Sequence, residues 1–355
     1  MGALTIEEFL ARSHEEPVLD VRTPAEFLQG HLTGAVSIPL FTNDERAVIG
    51  TLYVQQGRKN AMKAGLDFIG PRMRSIVESA EQVARDGRVL VHCWRGGMRS
   101  GAVSWLLSFY GFEVHTLTGG YKSFRNLALR EIAKPRRFVV VGGKTGAGKT
   151  KVLHQLCTLG QPVIDLEYLA GHKGSAFGGL GQKDKTQEQF ENDLSVALRS
   201  LDPLCETDPG IHSGSIAWIE DESRTIGKRS VPAQIMQSKQ EATLLFLDVP
   251  LKQRVENLVR EYGQFPVQDL ANIISRLHKR LGGLDTAQAL EALHAGDLER
   301  VCEIVLHYYD RAYDFELSKR SGPVIRVPVS SMDAAENASR LMQACKESVR
   351  TEAMT

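Results

Sequence analysis

A glycine-rich segment carries the residue types that bind phosphate: Gly143-Lys144-Thr145-Gly146-Ala147-Gly148-Lys149-Thr150. It matches the pattern G-x-x-x-x-G-K-[ST] in full, between an apolar run at 138–141 and a helical pattern that begins near Lys149. Glycines let successive backbone N–H groups face an anion, and the start of the helix adds partial positive charge. Lys149 would contact the outer phosphates, and Thr150 is a candidate ligand for Mg²⁺. The segment predicts a di- or triphosphate site without naming the base.

Carboxylates at the ends of predicted strands are candidate partners of this loop: Asp165, Glu167, Glu220, Asp221 and Asp248. A carboxylate there could hold a metal ion or orient an attacking group, and it could equally cap the turn that follows. We favour the pair Glu220 and Asp221 because both follow a predicted strand end. Basic residues after Asp248 could contact phosphates or RNA, although a solvated charged face fits most of them. They are Arg254, Arg260, Arg276, Lys279 and Arg280.

A second reactive segment surrounds Cys93, which follows the apolar strand candidate 88–92. A short loop with Arg95, Gly96 and Gly97 comes next, and a helix over 98–110 begins beside Arg99. This geometry aims backbone N–H groups and a helix N-terminus at the sulfur, and the arginines add positive charge. We therefore expect Cys93 to be acidic and nucleophilic, whereas a buried structural role suits the other four cysteines.

The elements that position these residues alternate between short apolar runs and helical patterns. This alternation predicts α/β folds with mostly parallel sheets. Strand candidates are 17–21, 35–39, 88–92, 113–116, 138–141, 162–164, 215–219, 243–248 and 324–327. Helical patterns fill most of 44–85, with interruptions expected at Gly57, Gly65 and Gly70-Pro71, and also fill 98–110, 251–262, 268–281, 286–316 and 332–350.

The segment 130–137, REIAKPRR, is charged and contains Pro135, which should stop a helix. It separates a predicted domain over 1–130 from a P-loop domain over 131–330, with a helical tail over 331–355.

Composition excludes several classes of protein. The 355 residues are 42% hydrophobic and 24% charged with a formal net charge of zero, so the overall charge gives no support for nucleic-acid binding. The five cysteines form no C-x-x-C pair and no His cluster completes a metal site. Their odd, scattered count speaks against a disulfide framework and for a reducing compartment. The acidic start lacks a signal-peptide pattern, and no apolar run approaches the roughly 20 residues of a membrane span. We expect a cytoplasmic protein without membrane partners.

The first 130 residues resemble a rhodanese domain. The resemblance lies in Leu19-Asp20-Val21-Arg22, in the segment from Gly30 to Pro39, and in the loop that begins at Cys93. Rhodanese domains carry sulfur, or sometimes selenium, on their cysteine. The resemblance implies a scaffold role for Asp20, Arg22 and His31, with Asp20 and Arg22 able to pair or to cap turns around the site.

Nearly the whole chain, up to about residue 330, resembles bacterial tRNA 2-selenouridine synthases. Five segments carry this resemblance: 93–100, 117–122 (LTGGYK), 143–150, 172–178 (HKGSAFG) and 219–224 (IEDESR). The family implies exchange of the sulfur of wobble 2-thiouridine in tRNA for selenium, with selenophosphate as donor and a synthetase that supplies it. It also implies an S-geranyl intermediate made from geranyl diphosphate. We expect no tightly bound cofactor, with Mg²⁺ as a candidate ion.

On this resemblance the catalytic group is Cys93 with Arg95 and Arg99, the arginines binding the selenophosphate oxyanion. The loop 143–150 would hold the diphosphate of the prenyl donor, together with Glu220 and Asp221. The segment 172–178 is either a mobile loop over that site or a plain surface loop. Two alternatives stay open: an ATP-dependent sulfurtransferase or kinase acting in tRNA thiolation, and a phosphate sensor with an inert rhodanese domain.

Overall fold

The computed structural model describes residues 2–174, 177, 185–201 and 216–352, without the side chains of 349–352. The chain forms two compact units, one of Met1–Glu131 with Thr186–Val196 and one of Ile132–Lys185 with Ala197–Thr355. The predicted domain ranges assign 186–196 to the P-loop domain, whereas in the structure this segment packs with the first unit. Within the described residues each unit contains a five-stranded parallel sheet, which confirms the predicted α/β class.

The first unit follows a strand–helix alternation with several extra helices. Its elements are β1 (Gly2–Leu4), α1 (Ile6–Arg12), β2 (Val18–Asp20), α2 (Pro24–Gln29), β3 (Val36–Ser37), α3 (Asn43–Gln56), α4 (Arg58–Ile69), α5 (Met73–Val83), β4 (Arg88–His92), α6 (Met98–Tyr110), β5 (Glu113–Leu117) and α7 (Gly120–Ile132). The sheet order is β1-β5-β4-β2-β3. The fully buried Val-Leu-Val of β4 therefore lies at the centre of the sheet, as expected for a parallel strand covered on both faces.

The first strand of the second unit begins after Pro135, beyond the end of α7. Its elements are β6 (Phe138–Gly142), α8 (Lys149–Thr158), β7 (Val163–Ile164), α9 (Leu166–Ala170), β8 (Ala217–Glu220), β9 (Thr225–Ile226), β10 (Arg229–Ser230), α11 (Ala233–Glu241), β11 (Thr243–Asp248), α12 (Leu251–Tyr262), α13 (Val267–Arg276), α14 (His278–Leu281), α15 (Gly283–His294), α16 (Leu298–Ser318), β12 (Val324–Pro328) and α17 (Ala334–Glu352). A further helix, α10 (Gln187–Arg199), lies between α9 and β8 in sequence. The sheet order is β12-β11-β6-β8-β7, so β6 is central.

In both sheets the central strand lies where the order of strand addition reverses, so that the connections on its two sides run in opposite directions across the sheet. β4 lies between β5 and β2, and β6 lies between β11 and β8. In open α/β sheets such a position opens a crevice at the carboxyl end of the strand. The loops that follow β4 and β6 are the two segments singled out by their sequence.

Most predicted elements are confirmed, with two corrections. Gly65 does not interrupt a helix, because it is buried within α4 against Phe41. The pattern over 286–316 divides into α15 and α16 at Gly296, which has φ of +79°. The tail forms α17 and buries Leu341 against the core of the second unit. No helix among the described residues is long and apolar enough to cross a membrane.

Candidate active sites

The Cys93 sulfur lies at the carboxyl end of β4, against the start of α6. The Gly97 N–H donates to Sγ over 3.4 Å, and the Ser100 hydroxyl lies 3.2 Å from Sγ. The helix begins at Met98, so its N-terminal partial charge also faces the sulfur. This is the cradle expected from the sequence.

Opposing effects set the protonation of this thiol. Burial raises the pKa of Cys93, since only 3% of the residue is exposed. Hydrogen bonds from the Ser100 side chain and from backbone N–H groups, Gly97 first among them, outweigh burial and bring the pKa below its usual range. The thiolate is therefore favoured at a lower pH than in a free cysteine.

The two arginines of this loop differ in their surroundings. Arg95 is exposed, and in the described part of the chain its guanidinium has no hydrogen-bond or ion-pair partner. Arg99 is half-buried and makes two hydrogen bonds to Glu26, of 2.6 and 3.1 Å. Burial alone would raise the pKa of Glu26, but bonds from Arg99 and from the Thr23 N–H lower it to about 2. Arg95 is thus the more available cation for an incoming oxyanion.

A buried polar group supports the loop from below. Arg22 has no exposed surface and binds both carboxylate oxygens of Asp20, with Nη2 to Oδ2 at 2.6 Å. Its guanidinium lies over the ring of Tyr121, 3.8 Å from the centroid. His92 is also fully buried, and burial lowers its pKa to about 4, so the ring is neutral. Asp20 and Arg22 pair as expected and form part of the scaffold.

The segment 117–122 closes the back of the cysteine loop. The Tyr121 N–H donates to the Cys93 carbonyl over 2.8 Å, and the Lys122 N–H to the Trp94 carbonyl over 3.0 Å. Gly120 has φ of +59°, and a Cβ there would lie 2.4 Å from both the Cys93 carbonyl oxygen and the Gly96 nitrogen. Only glycine fits this position.

Helix α10 completes the first unit, although its sequence lies between elements of the second. The Tyr121 hydroxyl donates to Glu188 over 2.6 Å and accepts from Asn192 over 2.7 Å. Gln189 accepts from the His31 N–H over 2.9 Å. These bonds connect α10 to the residues beneath Cys93.

The phosphate loop runs from the end of β6 to the start of α8. Gly143, Gly146 and Gly148 have φ of +151°, +85° and +78°. Two side chains of α12 hold the loop from outside, because Arg254 donates to the Thr145 carbonyl over 3.2 Å and Asn257 to the Gly146 carbonyl over 3.1 Å. Arg254 is buried and paired with Asp310, so the solvated-face interpretation does not apply to it.

The two lysines of the loop have different partners. Lys149 donates to the Gly143 carbonyl over 3.0 Å and so lies over the mouth of the loop. Lys144 points to the acidic face of α16, 2.9 Å from Asp314. The Thr150 hydroxyl donates to Glu167 over 3.0 Å. The Lys149 side chain therefore lies at the loop itself and Thr150 beside Glu167, whereas the Lys144 side chain is paired with an acid of α16.

Three carboxylates gather beside Thr150. One oxygen each of Glu167, Glu220 and Glu222 lies within 4.8 Å of the others. Glu220 is fully buried. Its Oε1 accepts from the Glu167 N–H over 2.6 Å, while its Oε2 has no hydrogen-bond partner in the described part of the chain. This donor set of hard oxygens fits a divalent cation such as Mg²⁺.

Protonation in this cluster is coupled. Burial raises the pKa of Glu220 well above its usual range, and the charges of Glu222 and Glu167 raise it further. Burial also raises the pKa of Glu222 to about 7, against the lowering effect of Lys149. Lys239 is buried beside them and donates to the Glu222 carbonyl over 2.7 Å. Positive charge therefore stabilises this cluster, whether it comes from Lys149 and Lys239, from a proton or from a metal ion.

The two residues predicted as an acidic pair face different surroundings. Asp221 leaves the cluster and accepts from the Tyr313 hydroxyl over 2.7 Å, with Arg320 3.8 Å away. Tyr313 in turn accepts from the Gly143 N–H over 3.1 Å. Asp221 therefore supports the phosphate loop through Tyr313, whereas Glu220 belongs to the carboxylate cluster with Glu167 and Glu222.

A cavity of about 1810 Å³ opens over the loop and the carboxylates. Its walls include Lys149, Glu167 and Glu222, the segment 171–174, and the exposed ring of Tyr168. It is large enough for a nucleotide together with a second substrate. The described part of the predicted 172–178 loop thus lines this cavity; residues 175, 176 and 178 lie outside the described residues, as does Cys205.

Known families match both units. Residues 5–127 match the rhodanese-like domain, and residues 136–344 match the AAA domain of tRNA 2-selenouridine synthase. The second match covers more than half of the chain. This chain belongs to the tRNA 2-selenouridine synthase family.

Relatives of this family align with the chain across both units. The tRNA 2-selenouridine synthase of Nitrosomonas eutropha is 30% identical over 86% of this chain and 89% of its own length. The enzymes of Nitrosomonas europaea and Bdellovibrio bacteriovorus are 35% and 37% identical over 70% and 69% of this chain, and each alignment spans 64% of the relative.

The sequence analysis did not identify three residues that the structure places at the phosphate loop or its carboxylates: Glu222, Lys239 and Tyr313. Glu222 follows Glu220 at a spacing of two, so both side chains face one side of an extended segment. That spacing was a usable signal. Lys239 and Tyr313 carry no local signal, since each reaches the site only through the packing of its helix.

Proposed function

We propose that this family member replaces the sulfur of the wobble 2-thiouridine of tRNA with selenium, in two steps that use separate sites. Family membership supports the overall exchange. The observation that carries the two-site assignment is the presence of two different anion cradles, one beside the thiol of Cys93 and one beside Lys149.

In the first step the thiouridine sulfur attacks C1 of geranyl diphosphate. The bond from C1 to the diphosphate oxygen breaks, diphosphate leaves, and the base loses its N3 proton, which gives S-geranyl-2-thiouridine. The loop 143–150 and Lys149 bind the diphosphate and stabilise the charge that it gains on leaving. The spacious cavity over the loop supports a site where a nucleobase and a second substrate meet.

Thr150 and the carboxylates of Glu167, Glu220 and Glu222 would hold a Mg²⁺ ion beside the diphosphate. When bound, the ion would neutralise charge on the leaving diphosphate. The unpartnered Oε2 of buried Glu220 supports this assignment, because a buried carboxylate oxygen without a donor is costly.

In the second step the selenium of selenophosphate attacks C2 of the modified base. The C2–S bond breaks and geranylthiol leaves with a proton, and water then cleaves the Se–P bond to release phosphate and 2-selenouridine. Cys93 serves this step by activating the donor, because its thiolate can take the proton of the selenophosphate as selenium attacks and return it to the leaving geranylthiol. Its lowered pKa and the exposed Arg95 beside it support this role.

Nucleoside mass spectrometry of thiolated tRNA tests this proposal. Geranyl diphosphate and selenophosphate are supplied singly and together, to the wild type, Cys93→Ala and Lys149→Ala. We expect geranylated nucleoside with the first donor alone, lost in Lys149→Ala and retained in Cys93→Ala. We expect selenouridine with both donors, lost in Cys93→Ala.

Cys157→Ala is the matched control, because Cys157 is an exposed cysteine of the second unit. It should behave as the wild type throughout. Unchanged tRNA under every donor would reject the proposal and favour an ATP-dependent sulfur transfer, which ATP turnover would reveal. Loss of both products in both variants would reject the assignment of the two steps to separate sites, but not the overall exchange of sulfur for selenium.

A further inference from the structure

A second, smaller cavity adjoins the phosphate loop within the helical part of the second unit. Its walls come from α12, α13 and α16 and from Phe177. Thr145 of the loop lines both this cavity and the larger one, and so do Leu258 and the rings of Tyr262 and Tyr309. The two cavities therefore share a wall at the phosphate loop.

The chemistry of this cavity differs sharply from that of its neighbour. Its lining is almost wholly hydrocarbon, from residues such as Leu270, Ile274, Val301 and Val305. Burial raises the pKa of Cys302, which also lines it, to about 12, so this thiol stays uncharged. The base or ribose of a nucleotide would lose hydrogen bonds with water here and regain almost none. A hydrocarbon chain makes no hydrogen bonds with water and would therefore lose none on entering this cavity.

We infer that this cavity binds the isoprenoid tail of a prenyl diphosphate whose diphosphate lies on the loop 143–150. The inference rests on the proposed use of geranyl diphosphate and assigns the part of the protein that recognises its hydrocarbon. Thr145 sits where head and tail would join, because it belongs to the phosphate loop and to the apolar wall. A site with this shape selects an amphiphilic diphosphate over ATP or GTP.

The free space within the apolar cavity is about 40 Å³, which is less than a ten-carbon chain occupies. Side chains of the wall must therefore move on binding. Phe177 and Tyr262 pack against each other at the edge of the cavity, with ring centroids 5.1 Å apart. If these two rings move apart, the cavity becomes longer. The affinity for a prenyl diphosphate should therefore rise with the length of its hydrocarbon tail until the tail fills the lengthened cavity.

Calorimetric titration of the full-length wild type tests the inference without any variant. The ligands are inorganic diphosphate, dimethylallyl diphosphate and geranyl diphosphate, each with Mg²⁺. Each methylene that the tail buries should tighten binding by up to about fourfold. We expect geranyl diphosphate to bind at least about tenfold more tightly than inorganic diphosphate, which is about 1.4 kcal/mol, with the dimethylallyl compound between them.

A pair of matched variants locates the tail. Ile274→Phe fills the cavity, whereas Ile304→Phe makes the same change at a buried residue of the same cluster that does not line it. We expect Ile274→Phe to abolish the preference for geranyl over inorganic diphosphate while both variants bind inorganic diphosphate as the wild type does. Retained binding of inorganic diphosphate also shows that the variant is folded.

Equal wild-type affinity for all three diphosphates would overturn the inference, even if the tRNA is geranylated. An equal effect of the two variants on tail preference would also overturn it. The reverse case separates the two proposals: tail preference that Ile274→Phe abolishes, without any geranylated nucleoside, supports this cavity and rejects the proposed first step.

Discussion

The cysteine loop of the first unit and the phosphate loop of the second share one backbone design. Each follows the central strand of a parallel sheet, contains glycines, and ends at a helix N-terminus, at Met98 in one and at Lys149 in the other. Each is held from outside by a second segment, 117–122 in the first unit and α12 in the second. Backbone geometry alone would make both of them anion sites.

Side chains divide the two loops. The cysteine loop adds a nucleophile and an exposed Arg95, and its carboxylates, Asp20 and Glu26, are each neutralised by an arginine. The phosphate loop adds Lys149 and faces carboxylates that have no arginine partner among the described residues, where one oxygen of Glu220 also lacks a hydrogen bond. One cradle thus suits a covalent or nucleophilic step on a small oxyanion, and the other suits a diphosphate with a divalent cation. The backbone of each loop therefore favours a bound anion, and the side chains around it determine which reaction the loop can support.

The largest expected effect separates the two lysines of the phosphate loop. Lys149→Ala should lower the rate of the proposed tRNA geranylation by about 10²–10³, the usual cost of removing one preorganised donor from a developing charge. Lys144→Ala should change that rate by less than about threefold, because Lys144 is paired with Asp314 on a partly exposed face. Single-turnover kinetics measures both. Equal losses in the two variants would show that the loop needs its total charge rather than one placed lysine.

A second prediction concerns the fit of the cysteine loop. Gly120→Ala introduces a Cβ 2.4 Å from the Cys93 carbonyl oxygen at a φ of +59°, so the free energy of unfolding should fall by about 2 kcal/mol or more. Gly97→Ala, in the same loop, meets no atom within 4 Å at a φ of −112° and should cost less than about 1 kcal/mol. Denaturant unfolding of the full chain measures both. A similar loss in the two variants would contradict the close packing of 117–122 on this loop.

The parts of each site that the sequence predicts correctly are those set by residues close together in the chain. The bounds of β4, α6 and β11 match their predictions because a buried apolar run or a helical pattern is flanked by turn residues within a few positions. The same holds for the loop 143–150, whose strand and helix adjoin it in sequence.

Long-range packing explains what the sequence does not predict. The buried polar residues of α10, such as Asn192 with no exposed surface, look local to the P-loop half of the chain but bond to His31 and Tyr121 of the first unit. An amphipathic pattern tells which face is buried and not which sheet covers it. Asp221 is similar: its position at a strand end is readable, but its bond to Tyr313 is not.

A third prediction tests the acidic side of the comparison. Glu220→Gln should lower the affinity for Mg²⁺ or Mn²⁺ by about tenfold or more, since loss of one well-placed metal partner typically costs 10–100-fold. Asp248→Asn is the matched control, because Asp248 ends strand β11 of the same sheet but is exposed and paired with Arg326. Calorimetry with each ion measures the affinities. Identical affinities in the wild type and both variants would place any bound ion away from this cluster.

The smallest effect concerns the cysteine loop and has a defined direction with pH. The thiolate is the reactive form, so the rate of Cys93 alkylation should rise with pH through its lowered pKa, below the range of an ordinary thiol near 8.5. Ser100→Ala removes a hydrogen bond to the sulfur and raises that pKa, so the rate at pH 7 should fall about two- to tenfold while the plateau at high pH is unchanged.

Peptide mass mapping after iodoacetamide pulses at several pH values would follow Cys93 separately from the other cysteines. Cys302 provides an internal reference, since burial raises its pKa to about 12 and it should stay unreactive over the same range. A Cys93 profile that Ser100→Ala leaves unmoved would mean that backbone N–H groups and the helix N-terminus alone hold the thiolate. In that case the two loops would resemble each other more closely than their side chains suggest, because backbone would set the charge preference in both.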